Sequence, residues 1–431
     1  VLIFLLGIQP CFGSGFFLIE QSVTAMGSAY AGGAALAQDA TTIFFNPAGM
    51  SRIAHPELVL GVHLVAPEAH FDDQGSRHLV RPLGRGLGRD EGGNAGETGL
   101  VPNLYYAHPL SDRFVLGLGI GFPFGLVTDY DSDEWIGRYH ATRSGLTDTN
   151  INPSLSWRLS EALTIGAGIS YAHLSADIGN MLDIGGILPA VGRRLGTRFD
   201  SELTVKGADS GWGYNLGVLF EPWEHTRVGM HYRSRIDLKL EGKAEIDPPG
   251  GPLVGGTIGA QLSEIGTKSR TQLPAMASLS VFHRLDKSWA VMADVTWMDW
   301  SKIRQLAFDF DGILPTGVEQ LDWEDTFRYA IGAEYRPDTR WTWRAGLALD
   351  TTPIPNPASR TPRLPDEDRL WTTLGLGYQY SERMRFDLGY AHLFVRTSEI
   401  DRIDSLSVAR IKGRYDAQVN ILSAQLTWHF L

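Results

Sequence analysis

Cysteine is almost absent: the 431 residues hold one, Cys11, inside a stretch that reads as an export leader. With the leader gone no thiol is left, which suits an oxidising compartment and excludes a disulfide scaffold. Charge is also scarce. Charged residues make up 20% of the chain and the net charge is -11, with no long basic stripe, so a nucleic-acid binder is excluded. No apolar run has the length of a transmembrane helix, which excludes a helical membrane protein. The 12 histidines show no metal-ligand spacing. "DYDSDEW" at 129 to 135 starts like a calcium loop, but Glu134 stands where the turn needs glycine and His140 where the bidentate glutamate belongs. His173 and Ser175 lie two apart on one strand face without an orienting group or oxyanion donors. Neither a cofactor nor an enzyme activity is expected.

Glycine, at 49, and aromatic residues, with 12 Trp and 14 Tyr, are plentiful. After residue 56 the dominant period is two. "WTWRAGLALD" sets Trp341, Trp343, Ala345, Leu347 and Leu349 on one face against Thr342, Arg344 and Asp350 on the other. "GWGYNLGVLF", "SWAVMADVTW" and "NILSAQLTWHF" repeat the pattern, with aromatics at the ends of the apolar row. That is the girdle of a transmembrane β-barrel. Short connections such as "PLSDRF", "RLDKSW" and "YSERMR" alternate with long ones at 176 to 210, 241 to 268 and 352 to 369. Six short turns and seven long loops predict an all-β antiparallel barrel of about fourteen strands, its first strand over 57 to 67 and its last over 419 to 430. The short turns and both termini are expected in the periplasm.

"VLIFLLGIQPCFGSGFF" has the h-region of a secretory signal, so residues 1 to 13 are expected to be a leader remnant, cut to leave Ser14 first. Residues 14 to 56 are rich in Ala, Gly and Ser, do not alternate and carry little charge, which predicts a plug inside a barrel of 57 to 431. "TTIFFNPAGM" places Ile43, Phe44 and Phe45 beside a turn at Asn46 and Pro47. In "GIGFPFGL", Pro123 lacks the N–H that a closed barrel needs at every position, and Gly121 and Gly125 permit a bend.

Together with "EWIGRYHATRSGL", "NINPSLSWRLSEALTIGAGISY", "RAGLALDTTPIP" and "LPDEDRLW", these segments make the chain resemble the FadL family, outer-membrane transporters of long-chain fatty acids and related hydrophobic compounds. The resemblance implies a 14-stranded barrel plugged by an N-terminal hatch, with passive movement of apolar ligands through it. Asn46, Pro47 and Ala48 fall on the family's Asn-Pro-Ala motif. Ile43, Phe44 and Phe45 either face the ligand or only pack the hatch. Gly121, Phe122, Pro123, Phe124 and Gly125 form either an inward kink that opens the wall sideways or a plain bulge. The expected partners are a hydrophobic small molecule, outer-membrane lipid and lipopolysaccharide, around a monomer in the bacterial outer membrane. Arg328 and Arg344 are candidates to hold a carboxylate, and a neutral hydrocarbon or aromatic cargo remains open. A barrel serving mainly as adhesin or phage receptor is the alternative from another class.

Overall fold

Alternation of apolar and polar residues becomes a wall in the computed structural model, which describes residues 15–79, 87–130, 134–183, 200–247, 265–311, 316–404 and 408–430. The leader residues, with Cys11, and Ser14 lie outside them. Fourteen antiparallel strands form one closed sheet. They are β1 (Glu57–Asp73), β2 (Gly99–Pro109), β3 in two pieces (Phe114–Gly121 and Gly125–Asp129), β4 (Arg143–Arg158), β5 (Leu163–Leu182), β6 (Ser201–Trp223) and β7 (Thr226–Arg233, then Ile236–Asp247). The second half comprises β8 (Ile265–Leu273, then Met276–Arg284), β9 (Trp289–Met298), β10 (Thr326–Tyr335), β11 (Trp341–Asp350), β12 (Arg369–Gln379), β13 (Met384–Val395) and β14 (Ala409–His429). Closure comes from β1 pairing with β14, Glu57 opposite His429. Closure of this kind pairs the first strand with the last and removes the edges an open sheet would expose.

The outward rows are those read from the period of two: Trp341, Trp343, Leu347 and Leu349 are exposed while Thr342, Arg344 and Asp350 are buried. Aromatics gather at the two rims. Near the short turns Trp289 meets Tyr335 with ring centres 4.6 Å apart and Trp341 meets Tyr378 at 4.5 Å; higher up Tyr171 lies 5.0 Å from Trp212. Such rings suit the headgroup level on both sides of a hydrocarbon band.

Several strands run further than their apolar rows. β1 continues to Asp73, β14 begins at Ala409, β5 ends at Leu182 and β7 at Asp247. In these extensions the pattern inverts: along β14 Ile411 and Tyr415 are buried while Arg414 and Asp416 are exposed. Charged outward positions mark wall that stands above the membrane, so no apolar-out row announces it. The connection from β9 to β10 adds a hairpin of Gln305–Phe310 and Gly317–Gln320 over the lumen.

Residues 15 to 53 lie almost wholly buried inside the barrel. They form three single-turn helices, α1 (Val23–Met26), α2 (Gly33–Leu36) and α3 (Thr42–Phe45), then a 3-10 turn over Pro47–Arg52. Small side chains let this backbone approach the wall, and inward polar groups fasten it. Gln425 accepts from the Val23 N–H at 3.0 Å, Ser280 Oγ accepts from Ala34 at 3.0 Å, and Arg227 caps α2 by donating to the Ala35 and Leu36 carbonyls at 2.8 Å. Each bond removes an orphan helix-end group from a site without bulk water.

Candidate functional site

The wall has a seam between β2 and β3. Their ladder stops at Leu104 opposite Ile120, and the next contact between the same two stretches of chain is the isolated bridge of Gly96 with Thr128. Pro102 and Pro123, two residues without an N–H, border the gap. On its other side β3 stays paired with β4, but Gly121 faces Asn150 while Gly125 faces Thr147. Residues 122 to 124 thus stand against 148 and 149 alone. One extra residue bulges the strand away from β2, which is why the seam forms here.

The carbonyl of Pro123 itself finds a partner on the plug. Pro123 turns its C=O inward, where it accepts from the Leu18 N–H at 2.8 Å, and the Gly125 N–H donates to the Phe16 carbonyl at 2.9 Å. Phe17 and Phe124 form the bridge between these bonds, with ring centres 5.5 Å apart. Residues 16 to 18 therefore act as a short clasp over the inner side of the seam. Gly121 faces the N-terminal segment, where an added Cβ would meet Gln21 Oε1. Phe122 is half-buried and Phe124 buried.

Above the clasp lies an apolar cavity of about 110 Å³, walled by Phe16, Leu126, Leu146, Val205, Leu240, Leu306, Phe308 and Trp323 among others. Among the described residues, two charged ones reach it, Glu319 and Arg363. Both also line a wider, more polar outer cavity of about 460 Å³, shared with His140, Arg402 and Arg410. They therefore stand at the throat between the two spaces. Arg363 Nε donates to Glu319 Oε2 at 3.3 Å, and Arg402 Nη2 lies 3.5 Å from Glu319 Oε1. Burial pushes the Glu319 carboxyl up, but the Arg363 and Arg402 guanidiniums outweigh it and hold the group below its usual value. Burial brings His140 down to about 4.

Residues 43 to 48 do not line the apolar cavity. Ile43 is buried under β3, Phe44 carries the Arg233 guanidinium 4.5 Å from its ring centre, and Phe45 stacks on Tyr30 at 5.9 Å. Asn46 ties three elements together. Its Oδ1 accepts from Ala48 N at 3.0 Å, and its Nδ2 donates to Ala34 O at 2.7 Å and to Val218 O of β6 at 2.9 Å. Pro47 opens the 3-10 turn, where a missing N–H costs nothing. A Cβ on Gly217 would strike Asn46 Oδ1, and one on Gly166 would strike Ala48 N. The turn is seated on two glycines of the wall.

Arg328 and Arg344 both bond the plug, and Arg328 Nε and Nη1 are buried without a hydrogen-bond partner. Arg328 Nη2 donates to Ala29 O at 2.7 Å, while Arg344 meets Glu334 at 3.1 Å, Asp387 at 2.9 Å and Gln38 Oε1 at 3.2 Å. Neither reaches the apolar cavity. The guanidinium that does, Arg363, sits one residue before "LPDEDRLW"; with its partner 44 positions away, no local pattern could pair them.

Comparison with known proteins agrees with this architecture. Residues 5–430 match the family described as "Outer membrane protein transport protein (OMPP1/FadL/TodX)". The long-chain fatty acid transport protein of Escherichia coli K12 is 28% identical over 414 residues, spanning 90% of this chain and 89% of its own. Outer membrane protein P1 of Haemophilus influenzae is 28% identical over 404 residues, 88% of this chain and 85% of its own. The crystal structure of a Pseudomonas aeruginosa FadL homologue matches with a TM-score of 0.89 at 26% identity, over 97% of this chain and 100% of that one. The Pseudomonas putida toluene transporter TodX, at 17% identity and a TM-score of 0.69 over 98% and 100% of the two chains, shares the fold.

Proposed function

The chain belongs to the OMPP1/FadL/TodX family of outer-membrane transport proteins, and from that premise we propose that it lets hydrophobic molecules such as long-chain fatty acids or hydrocarbons diffuse across the outer membrane. Residues 14 to 56 serve as the hatch, the long connections face outward, and the short turns and both termini lie in the periplasm. A molecule enters the polar outer cavity, passes the Glu319–Arg363 throat and rests in the apolar cavity. It leaves sideways through the seam between β2 and β3, once the clasp of residues 16 to 18 shifts.

The seam carries this reading, because Phe16 both walls the cavity and bonds Gly125 at the seam's edge. An apolar molecule gains roughly 25 cal/mol for each Å² kept from water, so a side exit into lipid avoids the cost of an aqueous pore. The hatch, tied to the wall at Asn46, Ala34, Val23 and Gln38, is better suited to stay in place while its first residues move. Gating therefore belongs to Phe16, Phe17 and Leu18, and Asn46 to Ala48 hold the hatch.

Filling the cavity tests the reading. Ala176 lines it from β5, and Ala176→Trp should lower uptake of a hydrophobic probe by cells while the barrel still assembles. Undiminished uptake with the cavity filled would remove it from the route.

A further inference from the structure

Among the described residues the apolar cavity meets charge at the Glu319–Arg363 pair, and there the charge is already neutralised. Arg363 has five N–H donors, and the protein takes nearly all of them. Nε–H goes to Glu319; Nη1 donates to Ser144 Oγ at 3.1 Å, Gly179 O at 3.1 Å and Arg143 O at 3.3 Å; Nη2 donates to Asn180 Oδ1 at 3.4 Å. Arg402 faces the same carboxylate, and its Nη1 bonds the Gln320 carbonyl at 2.9 Å. Among the described residues, Asp404 and His140 are the charged or titratable groups that act on them at short range. Asp401 and Arg410, further out, are paired with each other. With His140 neutral, two guanidiniums balance two carboxylates, and among the described residues around the throat no cation is left over.

Neutral polar groups in the cavity are in the opposite state. Thr267 Oγ1, Ser269 Oγ and Trp323 Nε1 are buried with no hydrogen-bond partner, and all three residues line the cavity. A buried donor without a partner is costly, and a ligand acceptor would relieve it.

We infer that Glu319 is the specificity-determining residue of the cavity, an internal counter-ion to Arg363 that disfavours anionic head groups and leaves the site to long apolar molecules with one neutral hydrogen-bonding group. The inference rests on the transport reading above and names the substrate class within it. An ionised head group would have to displace Glu319 or lie beside it, two like charges in a dry throat. An ester carbonyl or a hydroxyl meets Thr267, Ser269 and Trp323 with no such conflict.

Equilibrium binding of methyl hexadecanoate and hexadecanoate to the whole purified protein, at alkaline pH where the acid is ionised, tests this. The ester should bind the wild type more tightly. Glu319→Gln should strengthen binding of the acid on the order of tenfold and change the ester little, while Thr267→Val with Ser269→Ala should weaken the ester about fivefold. Acid binding at least as tight as ester in the wild type overturns the inference, as does an acid affinity that Glu319→Gln leaves unchanged, and in both cases the transport reading stands. If neither compound binds, the cavity reading falls too. Should Glu319→Gln not assemble, the wild-type order of acid and ester decides alone.

Discussion

The backbone N–H of Leu18 donates to the carbonyl of Pro123 at 2.8 Å, joining the start of the plug to the bulge at the seam. This bond couples the two features that the route requires. A single neutral hydrogen bond contributes about 1 kcal/mol, or roughly fivefold in an opening equilibrium. Leu18→Pro removes the donor. Hydrogen exchange over residues 15 to 20 should then quicken by about that factor, and uptake of a hydrophobic probe should rise, with the heat-resistant folded band on gels unaltered. Exchange equal to wild type would show that the clasp is held by ring packing alone.

Asn46→Ala removes two donors and one acceptor from a buried turn, at a cost of about 1–3 kcal/mol to hatch docking. Limited proteolysis should reach residues 15 to 56 sooner, while the barrel keeps its thermal transition, since the strand ladders are untouched. Parallel loss of both would mean that the turn supports the barrel as a whole.

Gly166→Val goes further, because its side chain would occupy the seat of Pro47 and Ala48. The barrel should close with its plug displaced. Single-channel conductance in planar bilayers should rise from near zero to that of a water-filled pore. A closed channel in this variant would separate plug docking from occlusion.

Acid should loosen the outer loops in two stages. His140, lowered by burial to about 4, stays neutral when folded, so stability is lost as pH falls from about 6.5 toward that value. Glu319, held below 4.5, contributes fully above the unfolded value and loses its contribution as pH falls through the lower folded one. Trp323, in the cavity, supplies the fluorescence readout. His140→Gln should flatten the upper stage and Glu319→Gln the lower. A single transition unaffected by either would refute the assignment.

The membrane-depth wall is legible in the sequence because lipid forces apolar residues outward at every second position, as from Trp341 to Leu349. The outer strand halves are not, since water lets Arg414 and Asp416 face out as they would in any loop. Pro123 marks the bulge locally, by a missing donor. The seam depends on pairing between β2, β3 and residues 16 to 18, and the throat on Arg363 finding Glu319. These meetings are set by how the barrel closes, and no period records them. Gly121 shows the same limit: its neighbours suggest a bend, while its closeness to Gln21 of the plug is set by distant chain.

Deleting Pro123 tests the side exit most directly. With the extra residue gone, Phe122 can face Thr149 and Phe124 can face Asp148 between the existing pairs at Gly121 and Gly125, keeping inward and outward faces in register. The same change lets the β2–β3 ladder continue past Leu104 and Ile120. Uptake of a hydrophobic probe by cells should fall sharply in this variant while the folded barrel persists and the cavity still binds the probe. Uptake at the wild-type rate through a wall so repaired would contradict the lateral route.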